Sequence, residues 1–162
     1  MAPSPMRVRP LRRVMSTLKV PLDGAFVDVG CGKGRILLLA ARHGFRHIVG
    51  LEFAKELCVV ARDNVTRYQK KTGVPCDIRV IEGDAVNYDI QDNDTVFFLN
   101  NPFGEVLVER FTENIVRSLA AKSRQVYVVY NSPRWRPVLE RHGFSPLWEI
   151  DGGECIVYGN VT

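Results

Sequence analysis

Hydrophobic positions along the chain change period again and again, and the changes mark its elements. "AFVDVG", from Ala25, is apolar at nearly every position, as in a strand covered on both faces, and "RILLLAARH" then carries its apolar residues at helical spacing up to Gly44. "HIVGLE" is a second strand pattern, after which residues 54–70 place Leu57, Ala61, Val65 and Tyr68 along one helical face that stops before Gly73. "DIRVIEGD" and "DTVFFLNN" predict a third and a fourth strand, residues 104–120 a helix, "QVYVVYN" a fifth strand, and residues 137–142 a short helix closed by Gly143. "PLWEI" and "CIVYGN", joined through "DGG", are two strand patterns about a glycine-rich turn, which predicts a β-hairpin. Upstream, Pro3, Pro5 and Pro10 disfavour an early helix. Leu11, Val14, Met15 and Leu18 then fall at i, i+3, i+4 and i+7 with arginines opposite, a short amphipathic helix with Pro10 in its first turn.

Strands alternating with helices predict an α/β fold, a doubly wound and mostly parallel sheet with helices on both faces and an antiparallel edge from the terminal hairpin. The organisation expected is a basic arm with its helix over residues 1–22 and one domain over residues 23–162. In such sheets ligands bind beyond the carboxyl ends of the strands. The polar and glycine clusters at those ends are Gly30 to Gly34, Glu52, Asp84, and Asn100 with Asn101.

Composition narrows the class. With 162 residues, 46% hydrophobic and 25% charged, the chain suits one globular core. No apolar run approaches the roughly 20 residues that span a bilayer, and no secretory h-region is present, so a soluble cytoplasmic protein without membrane attachment is expected. Cys31, Cys58, Cys76 and Cys155 are scattered without metal-ligand spacing, which suits reduced thiols. His43 and His47 are four apart, but Gly44 breaks a helix between them, so no metal is expected there. The net charge of +4 is unevenly placed: Arg7, Arg9, Arg12, Arg13 and Lys19 occupy an acid-free arm, and the remainder holds 17 basic against 18 acidic residues. The arm is therefore the candidate contact for an acidic partner or nucleic acid, with packing and organelle targeting as its other uses.

"FVDVGCGKGR" decides the chemistry. A P-loop requires Ser or Thr after its lysine, and Lys33 is followed by Gly34. A dinucleotide fingerprint requires glycine where Arg35 stands. The pattern is instead G-x-G-x-G, which suits a ligand that approaches the loop backbone without a pyrophosphate on the helix N-terminus. "VDVGCGKG" followed by "GLE" and "EGDA" resembles motifs I, II and III of class I S-adenosylmethionine-dependent methyltransferases, and the order of elements resembles that family's seven-stranded sheet over nearly the whole chain. The resemblance implies S-adenosylmethionine as cofactor. It places Gly30, Cys31, Gly32 and Gly34 along the methionyl part and Asp28 at the amino-acid end. Glu52 falls on the ribose hydroxyls with Phe53 beside it, and Asp84 with Ala85 on the adenine.

"LNNPFG" stands where that family carries motif IV and resembles the (Asp/Asn)-Pro-Pro-(Tyr/Phe) motif of enzymes that methylate planar or amide-type nitrogens. It implies catalytic roles for Asn100, Asn101, Pro102 and Phe103: a polar acceptor that aims a nitrogen lone pair, a rigid turn and a stacking ring. The first Pro is replaced by Asn101, so either Asn is the acceptor, and Asn100 also reaches the cofactor side. The double Asn is similar to that of lysine methyltransferases of the seven-strand class, leaving protein lysine or amide, nucleobase and small-molecule acceptors open. The alternatives are a nucleic-acid-binding module with a vestigial pocket, or an aminopropyltransferase-like enzyme. The first lacks a broad basic face in a neutral body. The second would favour an acidic pocket where Asn100 and Asn101 are neutral. With short loops elsewhere, selectivity falls to the arm, residues 101–105 and the loop over residues 132–135.

Overall fold

The computed structural model describes residues 8–100 and 103–160, with side chains from residue 12 onward. Its elements are α1 (Val8–Thr17), β1 (Ala25–Val29), α2 (Arg35–His43), β2 (His47–Glu52), α3 (Lys55–Thr72), β3 (Asp77–Glu82), β4 (Asp94–Asn100), α4 (Glu105–Ala121), β5 (Tyr127–Asn131), α5 (Arg136–Arg141), β6 (Phe144–Ile150) and β7 (Cys155–Asn160). Single 3-10 turns occupy Ala85–Asn87 and Asp151–Gly153.

The sheet has seven strands in the order β3-β2-β1-β4-β5-β7-β6. All neighbours pair in parallel except β7, which is antiparallel to both β5 and β6. The hairpin supplies the expected antiparallel edge: its second strand inserts between β5 and β6, and β6 becomes the edge. The strand compositions account for this. β7 is buried from Cys155 to Gly159, whereas β6 exposes Ser145, Pro146 and Leu147 and breaks register near Pro146, as an edge strand tolerates.

Side chains alternating along the strands supply two cores. Phe26, Ile48, Val96 and Phe98 face α1, α2 and α3, while Val27, Phe97, Leu99 and Val128 face α4 and α5. By the same alternation Asp28, two residues after Phe26, points into the first of these layers. Val14 and Met15 of α1, with Leu18 just beyond its end, are buried in that layer against α2, while Arg12 and Arg13 are exposed. Gly44 caps α2 at φ +122°, its N–H donating to the carbonyls of Ala40 and Ala41. This turn separates the two histidines: His43 bonds the Leu18 carbonyl at 3.2 Å, and His47 is exposed at the start of β2.

Candidate active site

The strand order reverses between β1 and β4, so the loops leaving their carboxyl ends diverge to opposite faces and open a crevice. After Val29 the chain turns through Gly30, Gly32 and Gly34, with φ of +80°, +54° and +91°, a region side chains disfavour. The N–H groups of Gly30 and Cys31 donate to the Leu51 carbonyl at 2.8 and 2.9 Å, tying the turn to β2. The three glycines serve different needs. A Cβ on Gly34 would lie 3.4 Å from Ala61, so this glycine permits the close approach of α3. A Cβ on Gly30 would lie 2.4 Å from the tip of the Phe103 ring, which covers it. A Cβ on Gly32 would meet nothing within 4 Å. The open face of the loop is therefore at Gly32.

Cys31 turns its side chain inward: a Cβ on Gly50 would lie 2.8 Å from its Sγ, and burial pushes its thiol pKa well above the ordinary range, keeping it protonated. Its contribution to the crevice is backbone. Glu52 closes β2 with both oxygens engaged, Oε1 accepting from the Gly32 N–H and Oε2 from the Ala54 N–H, each at 2.9 Å. One carboxylate thus fixes the loop and the entry to α3, and each oxygen keeps lone-pair capacity for a ligand. Phe53, next along, is 78% exposed. Asp28 is 3% exposed. Burial first, and then the charge of Glu52, push its carboxyl up to about 8.

Asp84 is exposed and caps the turn at Ala85–Asn87, its Oδ1 accepting the Val86 N–H at 3.1 Å. Asn114 of α4 holds the same turn through the Val86 carbonyl at 2.9 Å, with Ala85 half-buried beside it.

At the end of β4, Asn100 is paired in register with Asn131 of β5, whose Nδ2 donates to the Asn100 Oδ1 at 2.9 Å. Asn101 and Pro102 lie outside the described residues. Phe103 resumes the chain half-buried, its carbonyl accepting the Trp135 indole N–H at 3.1 Å. The Trp135 backbone N–H donates to the Tyr130 hydroxyl at 3.2 Å, and the Arg134 guanidinium lies 5.2 Å from the Trp135 ring centroid. Asn131 is a site residue that sequence reasoning passed over, although it ends an apolar strand in the same way as Asn100. For Trp135 the sequence offered only its place in a loop named for selectivity.

A cluster of Glu109, Glu113 and His142 on α4 and after α5 has metal-ligand proximity. Glu109, however, already accepts from His142 at 2.6 Å and from Arg141, which together hold its carboxyl below its ordinary range. Among the described residues no helix is long and apolar enough to cross a membrane.

Residues 26–122, well over half of the chain, match the model of a family described as a methyltransferase domain. The chain is 28% identical over 138 residues, 83% of its length and 79% of the relative's, to a protein-lysine N-methyltransferase of Saccharolobus islandicus (strain REY15A). Its fold is similar to that of an RNA methyltransferase from Salinibacter ruber solved with S-adenosyl-L-homocysteine, with a TM-score of 0.68 and 24% identity over 96% of this chain and 92% of that one. It is also similar to a precorrin-6y C5,15-methyltransferase from Geobacter metallireducens GS-15, with a TM-score of 0.65 and 19% identity over 92% of this chain and 84% of that one. At these identities the two structures speak to the fold alone, and they carry two different kinds of acceptor on it.

Proposed function

The chain belongs to the methyltransferase domain family, and from that premise we infer that the carboxyl edge of its sheet transfers the methyl group of S-adenosylmethionine to a nitrogen acceptor. The crevice fits this cofactor on two counts. The open face of Gly32 is a cradle that any side chain would fill. The buried carboxyl of Asp28, with Glu52 beside it, suits a ligand that carries an ammonium, a sulfonium and a ribose diol. Glu52 would hold the ribose with its remaining lone pairs, Asp84 and Ala85 the adenine, and Asp28 the amino-acid end. Asn100 would lie along the methionyl part.

The cofactor supplies a methyl carbon already activated by its sulfonium. The chain's own contribution is to align an incoming nitrogen with that carbon, to leave the lone pair free and to keep water out. The Asn100 oxygen spends one of its two lone pairs on Asn131, which ties its direction to β5 and leaves it less adaptable to an N–H of the acceptor. We assign the acceptor-orienting role to Asn101, with Phe103 as the neighbouring ring. This engagement of Asn100 by Asn131 is the observation that carries the assignment. The lysine-methylating relative supports a protein amine over other nitrogen acceptors.

The test is to incubate the protein with methyl-labelled S-adenosylmethionine and cell extract, then separate protein, RNA, DNA and small molecules. Label in protein, recovered as methyl-lysine after hydrolysis, is the expected result. Label on oxygen or carbon, or none in any fraction despite cofactor binding, overturns the reading.

A further inference from the structure

The near-neutral total over residues 23–162 conceals a segregation of charge between the two faces of the sheet. Residues 12–72, which supply α1, α2 and α3 to the first core layer, carry twelve lysines and arginines against five acids, one of them the buried Asp28. Residues 73–160, which supply α4 and α5 to the other layer, carry eight against thirteen. The helices show it most sharply: α1 and α2 contain no acid, whereas α4 sets Glu105, Glu109 and Glu113 along one side. Cations gather where α1 meets α2. Arg12 and Ser16 of α1 face Leu39, Arg42 and His43 of α2 across a groove of about 250 Å³ that the buried Met15 also lines. His43 bonds the Leu18 carbonyl at 3.2 Å, which brings Lys19 to the end of α2. Arg46, two residues before the inward-facing Ile48, falls on the same side of the sheet. The side chains of Arg12, Lys19, Arg42 and Arg46 are exposed, and none makes a hydrogen bond or ion pair among the described residues. Asp151, which reaches α1 from the hairpin turn, is taken by Arg13 at 2.6 Å.

We propose that this face of α1 and α2 is a docking site for the phosphate backbone of a nucleic acid, separate from the methyl-transfer crevice. Its composition selects that partner among polyanions. Protein interfaces are built around buried apolar or aromatic anchors, and basic helices that lie on membranes expose an apolar side as well. None of the large apolar side chains left exposed among the described residues lies on α1 or α2. Nucleic-acid interfaces are by contrast polar and strongly positive, and the arginine fork matches phosphate oxygens. The site's place separates it from the chemistry. α2 leaves the glycine loop at the carboxyl edge of the sheet and ends before β2 begins, so Arg42 and Arg46 stand at the amino edge, away from the crevice. Docking there decides where the protein resides, not which atom it methylates, and it stands independently of the methyltransferase reading.

Fluorescence anisotropy tests this without cofactor or acceptor, using fluorescein-labelled RNA and DNA of about 20 nucleotides, each as single strand and as duplex, in roughly 50 mM salt. The full chain should bind with a Kd in the micromolar range that rises with salt. Arg12→Gln combined with Arg42→Gln should weaken binding by about 10- to 100-fold and flatten the slope of log K against log salt by about 1.4 on single strands or 1.8 on duplexes, the loss of two phosphate contacts. Arg110→Gln is the control. It removes an equally exposed arginine, also without an ion pair among the described residues, from the acidic α4, and should change neither quantity.

Both substituted side chains of the double variant lie outside core and crevice, so its Tm and its Kd for S-adenosylhomocysteine should stay near parental values. No binding of any of the four probes, parental binding by the double variant, or an equal loss from Arg110→Gln overturns the proposal. So does tighter binding, at the same salt, of polyglutamate, which would mark an acidic protein partner, or of phosphatidylserine vesicles, which would mark a membrane. The expected pattern in a protein that fails to bind S-adenosylhomocysteine would support the docking site and count against the proposed function instead.

Discussion

At the scale of single residues, Asp28 carries the sharpest consequence. An aspartate titrates near 3.8 in its ordinary surroundings, and here burial and Glu52 move it to about 8. Between those values the folded protein holds a proton that the unfolded chain has released. This contribution to stability is full below about pH 4, declines as pH rises toward 8, and is lost above it. Asp28→Asn should flatten that decline and raise Tm above the parent's at pH 8.5, as a thermal melt series would record. The same variant should bind S-adenosylmethionine more weakly. A cation drawn to the Asp28 carboxylate should displace its proton near pH 7, so the parent's binding heat should vary with the ionisation enthalpy of the buffer, and the variant's should not. A binding heat independent of buffer in the parent would remove Asp28 from the cofactor's charged end. Gly32 makes the complementary case. Nothing stands within 4 Å of its missing side chain, so Gly32→Ala should cost only the roughly 1–2 kcal/mol of a left-handed backbone yet abolish cofactor heat in calorimetry.

At the scale of elements, α1 is held by burial more than by charge. Met15 is 3% exposed in the layer shared with α2, and Met15→Ala should cost about 2–5 kcal/mol, or roughly 4–20 °C in Tm for a chain of this size. The ion pair from Arg13 to Asp151, at 2.6 Å, joins α1 to the hairpin turn but leaves the arginine side chain 66% exposed. Arg13→Ala should lower Tm by only a few degrees, because solvent-screened pairs contribute about 1 kcal/mol or less. Equal losses from the two variants would show that the helix is fastened by charge. The arm was readable in the sequence as an amphipathic helix. Its arginines at 12 and 13 do face outward, but one of them is committed within the chain and only the other keeps the freedom an acidic partner would require.

For the whole molecule, ligand linkage gives the broadest check. A cofactor that binds only the folded state at 100 times its Kd stabilises by about 2.7 kcal/mol, so Tm should rise by roughly 5–11 °C with S-adenosylhomocysteine. A chelator should leave that shift unchanged, since the Glu109 carboxylate of the one metal-like cluster described is already engaged by Arg141 and His142. A chelator-sensitive Tm would show that a metal does bind there.

The sequence alone determined the elements, their alternation and the glycine loop, because hydrophobic period and glycine spacing are local properties written along the chain. It also nominated acids at strand ends, because in a parallel sheet every strand delivers its last residues to the same edge. Tertiary structure decided which of those residues meet. Insertion of β7 between β5 and β6, the taking of the Asn100 oxygen by Asn131, and the Trp135 bond to the Phe103 carbonyl join positions about 30 residues apart. No local pattern encodes these meetings. The inward turn of Cys31 likewise depends on Gly50, a residue of the neighbouring strand. Strand order is set by which apolar faces bury best together, a property of the whole sheet, and through it the fold selected one polar strand end to hold another.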